Sequence, residues 1–95
     1  MKGIFFVAAV LATCAAEAQN SNVVSAYNYL GDKNYAKAIE YIEPAITNDA
    51  TVGKEKTWRY RGNIYYAIAL GNDTALKAQY PDAPKKAIDS YIKAN

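Results

Sequence analysis

The sequence predicts an all-α domain of antiparallel helix-turn-helix repeats, about two of them, stacked as a short α-solenoid. Three observations carry this. Apolar residues recur at helical spacing in every segment beyond the N-terminus, and no stretch alternates with period two between turn signals. Gly and Asn punctuate the chain where helices must reverse. The same spacing of small and large residues occurs twice.

The first helix is expected from about Asn22 to Leu30, capped by Ser21, with Val23, Val24, Tyr27 and Leu30 on one face. Gly31-Asp32-Lys33-Asn34 then forms a tight turn. Gly31 suits the left-handed residue after a helix, and Asn34 suits capping the next one. The second helix covers about Tyr35 to Thr47, with Ala38, Ile39, Ile42 and Ala45 in its apolar stripe. Pro44 lacks the N–H that would bond the carbonyl of Glu40, so the last turn should bend or fray. Residues 48–53 read as a polar linker. The third helix runs from about Lys54 to Leu70 and stops at Gly71. Residues 72–84 are polar, hold two Pro, and have room for a short helical turn over 74–80. The fourth helix begins near Ala83, capped by Asp82, with Pro84 in the tolerated first turn and a stripe of Ala87, Ile88, Tyr91 and Ile92.

Residues 1–18 have the layout of a secretory signal peptide. Lys2 is the basic start, Ile4 to Ala16 is an apolar or small run, and Ala16-Glu17-Ala18 is an A-x-A cleavage pattern. The run is shorter than the roughly 20 residues a membrane-spanning helix needs. The expected mature domain is therefore 19–95, exported to a periplasmic or extracellular compartment, with no stable transmembrane segment. Leu11-Ala12-Thr13-Cys14 also resembles a bacterial lipobox, although Thr13 fits poorly. A lipid anchor on Cys14 is the alternative fate, and it would attach the protein to a membrane face.

Composition narrows the function. The 95 residues carry 11 Lys and Arg against 9 Asp and Glu, a net charge of +2 that gives no case for nucleic acid. The absence of His removes His-ligated metal sites and His-based nucleophile pairs. No glycine-rich phosphate loop is present, and Glu40, Glu43 and Glu55 read as solvated helix charges. Catalysis, metals and cofactors are therefore not expected. Nine Tyr in so short a chain call for a structural reason.

The repeat supplies one. Ala38-x3-Ile42-x2-Ala45 matches Ala87-x3-Tyr91-x2-Ala94, and Ala26-x2-Tyr29 matches Gly62-x2-Tyr65. The copies are residues 22–47 and 54–95, the second interrupted by 72–84. Small residues sit where helices approach, and large ones fill the space beside them. Trp58-x2-Arg61-Gly62-x2-Tyr65 followed by Ala87-x3-Tyr91-x2-Ala94 resembles the tetratricopeptide repeat, whose period is about 34 residues and whose pattern is W-x2-L-G-x2-Y and then A-x3-F. Asn22 stands where that pattern has Trp, and Arg61 where it has Leu. The second copy with its insertion is similar to tetratricopeptide proteins exported by Bacteroidetes-type bacteria. Two copies are fewer than such arrays generally need, and the flank of the fourth helix lacks a cover. A chain continuing past Asn95, or pairing with another copy, is the expectation.

The resemblance implies a non-catalytic protein that binds a protein or peptide on the face lined by the first helix of each pair. The implied contacts are Lys56, Arg59, Asn63 and Tyr66 in the second copy and Tyr27 in the first, with Val23 and Leu30 beside it. Arg59 and Asn63 lie at i, i+4, a spacing at which guanidinium and amide donors would grip a carboxylate. The competing reading pairs Arg59 with Glu55 on a solvated face. A structural component of a bacterial envelope assembly is the alternative function.

Overall fold

Five α-helices and one 3-10 turn make up the regular structure in the computed structural model, which describes residue 18 and residues 20–95. The signal-peptide pattern and Cys14 lie outside the described residues, Ala18 excepted. α1 is helical over 20–31, so Ser21 is a residue within the helix and not its cap. Its end is closed by the Lys33 N–H bonding the Leu30 carbonyl at 3.0 Å and the Asn34 N–H bonding the Tyr29 carbonyl at 2.9 Å, the paired bonds of a Schellman cap. The left-handed residue is Lys33, with φ of 61°, two positions beyond Gly31, which keeps an ordinary helical place.

α2 (Tyr35–Ile42) starts at Asn34, whose Oδ1 accepts the Lys37 N–H at 3.3 Å. Pro44 then converts the expected last turn into a 3-10 turn, Glu43–Ile46. Residues 48–53 form a hydrogen-bonded corner. Asn48 Oδ1 accepts the Ala50 N–H at 2.9 Å, and the buried Thr51 hydroxyl donates to the Ala45 carbonyl at 2.6 Å. α3 (Glu55–Leu70) follows, with Trp58 Nε1 donating back to the Val52 carbonyl at 2.7 Å. The insertion holds α4 (Thr74–Gln79), capped by Asp73, whose carboxylate accepts the Leu76 N–H at 3.0 Å. Asp82 occupies the cap position of α5 (Ala83–Ala94) without a side-chain bond to it.

The contacts fix the directions. Lys54 Nζ bonds Asn20 Oδ1 at 2.8 Å, and the Tyr27 and Tyr60 rings lie 4.9 Å apart, so α1 and α3 run the same way. Lys93 covers the Trp58 ring near the start of α3, while Pro84 and Leu70 share a groove at its end, so α5 runs antiparallel to α3. The core joins Val23 and Ala26 of α1, Ala38, Ile39 and Ile42 of α2, Ile64, Tyr65 and Ile68 of α3, and Ala83 and Ala87 around the start of α5. Val23 is thus a core residue and not part of an open lining. Val24 and Tyr27 point outward, splitting the face expected of α1. Tyr80 leans edge-on against Tyr65 at 6.4 Å, tying the insertion to α3.

Gly62 has a specific reason to be glycine. A Cβ built there meets the Tyr91 ring at 2.6 and 2.7 Å, closer than any side-chain atom tolerates. The ring of α5 occupies the space a side chain on α3 would need, and the two helices meet at that point.

One polar cluster sits within this packing. Arg61 is only 6% exposed. Its Nε donates to Glu43 Oε1 at 2.8 Å, and its Nη1 donates to Ser90 Oγ at 2.9 Å. The Tyr65 hydroxyl donates to the same Glu43 oxygen at 2.7 Å, and the guanidinium lies 5.2 Å from the Tyr65 ring centre. Glu43 is therefore not a solvated helix charge. The 3-10 turn made by Pro44 carries it to the α3 surface, where it neutralises a buried cation. Burial, followed by the hydrogen bond to Glu43, pushes the Tyr65 phenol well above its ordinary value.

Two outcomes follow from this packing. Gly62→Leu should cost about 1–3 kcal/mol through overpacking against Tyr91, whereas Arg59→Ala, at an exposed ion pair, should cost under about 0.5 kcal/mol. Urea unfolding of both variants checks this, and equal losses would contradict the Gly62–Tyr91 contact. Tyr65 is protonated in both states at neutral pH. As pH rises past about 10, tyrosine in the unfolded chain ionises first, so the contribution of Tyr65 to stability is complete below pH 10 and declines above it. Tyr65→Phe should therefore be less stable than the parent at pH 8, yet lose less between pH 9 and pH 11. Parallel pH slopes for the two proteins would count against the raised pKa.

Candidate functional site

Along α3, successive residues turn by about 100°, so Tyr66 and Leu70 project opposite to Ile64 and Ile68. The second pair is buried in the core, and the first pair looks outward. On α5 the five apolar positions Pro84, Ala87, Ile88, Tyr91 and Ile92 spread over roughly 140° of the helix circumference, more than one contact with α3 covers. Ala87 turns inward and is 2% exposed, while Ile88 is 62% and Ile92 67% exposed. The result is an apolar groove of about 330 Å3 between α3 and α5, lined by Tyr66, Ala69, Leu70, Pro84, Ala87, Ile88 and Tyr91.

Tyr91 shapes the groove. Its ring lies against the Gly62 backbone, and the Tyr66 ring meets it edge-on at 6.3 Å. Its hydroxyl donates to Asn63 Oδ1 at 2.6 Å, which fixes the ring orientation. Partial burial raises the Tyr91 pKa, with a further push from neighbouring Tyr66. The site offers apolar contact area, two phenol hydroxyls and the donors of the Asn63 amide.

Arg59, Asn63 and Tyr66 occupy one face of α3 at i, i+4, i+7, and this face leads into the groove. Arg59 Nε bonds Glu55 at 2.8 Å, both partners about half exposed, and the guanidinium lies 5.5 Å from the Tyr60 ring centre. Asn63 has its carbonyl oxygen committed to Tyr91. Lys56 is exposed one turn before Arg59. Tyr27 stands apart on α1, half exposed and tilted against Tyr60. Leu70, Pro84, Ile88 and Ile92 join this surface although the repeat pattern does not mark them as contact residues. The excess width of the α5 stripe is the signal that one flank of that helix has no partner among the described residues.

Among the described residues, no group of three or more His, Cys, Asp or Glu is placed to hold a metal ion, and no helix is long and apolar enough to cross a membrane. Compared with known proteins, the chain matches no family model, no curated protein and no solved structure.

Tyr91→Phe removes one hydrogen bond and keeps the ring, so it should cost about 1 kcal/mol. Tyr91→Ala removes the ring beside Gly62 and should cost about 3 kcal/mol or more. Denaturant titration of both measures the difference, and a phenylalanine variant as damaged as the alanine one would show that the ring does not carry the packing.

Proposed function

We propose that the chain is an exported, non-catalytic helical-repeat protein of the tetratricopeptide type, which binds a protein or peptide partner in the groove between α3 and α5. The observation that carries this reading is the exposure of large apolar side chains around that groove: Tyr66 at 52%, Leu70 at 65% and Ile88 at 62%. Contiguous apolar surface of this kind is costly in water and marks interaction sites. The order of the helices supports the repeat reading, since α1 and α3 run parallel while α5 returns antiparallel to α3. Gly62, Ala38 and Ala87 are buried at positions the repeat pattern reserves for small residues. Arg59, beyond its Nε bond to Glu55, and the amide donors of Asn63 sit beside the apolar lining, where they can orient a partner's carboxylate or carbonyl groups. Export rests on the signal-peptide pattern of residues 1–18.

Selection of random phage-displayed peptides on the immobilised chain tests this. Sequences enriched on the parent should be lost on an Ile88→Asp variant. That variant should keep its thermal midpoint, because Ile88 is largely exposed. Enrichment indifferent to residue 88, or no enrichment at all, would overturn the assignment of the groove.

A further inference from the structure

The two helix pairs present equivalent surfaces that meet different fates. By the internal register, Leu30, Ala38, Ile39, Ile42 and Glu43 of the first pair correspond to Tyr66, Ala87, Ile88, Tyr91 and Ile92 of the second. In the first pair the apolar positions lie in or against the core. Ile39 is 9% exposed, Ile42 is fully buried, and Glu43 holds Arg61. In the second pair Ile88 and Ile92 are each more than 60% exposed. The surface that α3 uses to cover the first pair is Arg61, Ile64, Tyr65 and Ile68, spaced i, i+3, i+4, i+7 on one helix face. The first pair thus shows in place what shape of partner such a surface takes.

Resting on the docking reading above, we propose that the α3–α5 groove takes one amphipathic helix of a partner protein, with aliphatic or aromatic residues at that same spacing and an apolar residue where α3 carries Arg61. The change at the first position comes from Ile92. The carboxylate of Glu43 has no counterpart there, so a cation docked opposite Ile92 would be desolvated without an acceptor. Nearby Asp89 is engaged by Lys93 at 3.4 Å. Head-to-tail stacking of a second copy fits less well. The residues of α1 that correspond to Arg61, Ile64, Tyr65 and Ile68 are Ser25, Asn28, Tyr29 and Asp32, a mainly polar set.

The test uses labelled peptides with the sequence of residues 54–71, one as it stands and one with Arg61→Leu, titrated with the full chain by fluorescence anisotropy. Leu and Arg have nearly equal helix propensity, and both peptides bear the same cost of ordering, so that cost cancels in the comparison. The Arg61→Leu peptide should bind roughly tenfold tighter to the parent chain. On an Ile92→Glu chain the preference should reverse, and on Ile88→Asp both peptides should be lost. Equal affinity for the two peptides on both chains overturns the proposal. So does an Ile88-dependent dimer in sedimentation with no peptide bound, which would make a second copy the occupant. If neither peptide binds while phage-selected peptides still require Ile88, the helical partner is wrong and the docking reading stands. If the selected peptides fail as well, that reading falls too.

Discussion

The Arg61 guanidinium is the constraint around which the rest of the structure is arranged. A buried cation is tolerated only when its charge and its N–H groups find partners. Its hydrogen-bond partners come from two other elements, Glu43 at the end of the first helix pair and Ser90 on α5, while Tyr65, one turn further along α3, donates to the same Glu43 oxygen and lays its ring 5.2 Å from the guanidinium. Each must be placed to within a few tenths of an ångström for its bond to form, so the cluster sets the register of the 3-10 turn, α3 and α5 at once. Apolar packing alone would tolerate small slips between these helices. The polar cluster does not, because a slip leaves a charge buried without an acceptor.

The contact of Gly62 with Tyr91 lies beside this cluster, on the side of α3 that faces α5. Removing the side chain at 62 lets the Tyr91 ring lie on the backbone, and the Tyr91 hydroxyl then reaches Asn63. This ring forms part of the apolar groove as well as part of the α3–α5 interface. Packing and candidate function therefore share one residue. The exposed rim of Leu70, Ile88 and Ile92 adds little to the folded chain itself, because its apolar surface stays in contact with water.

The outward helix surfaces differ in chemistry. The outward surface of α1 mixes the polar Ser25, Asn28 and Asp32 with the exposed Val24 and Tyr27. The outer face of α3 and α5 carries Tyr66, Leu70, Ile88 and Ile92.

The amino-acid sequence by itself determined the helices, the Asn34 cap, the disruption at Pro44 and the small-against-large positions Ala26, Ala38, Gly62 and Ala87. These depend on spacing and local chemistry, which a linear pattern records. It also placed Arg59, Asn63 and Tyr66 on a common helix face. Tertiary structure alone decided that Glu43 turns inward to Arg61, that Lys33 and not Gly31 takes the left-handed turn, and that Ile88 and Ile92 face outward while Ala87 faces in. The reason is physical. An apolar stripe or a lone carboxylate on a helix states what must be satisfied, but which neighbour satisfies it depends on how distant segments pack together.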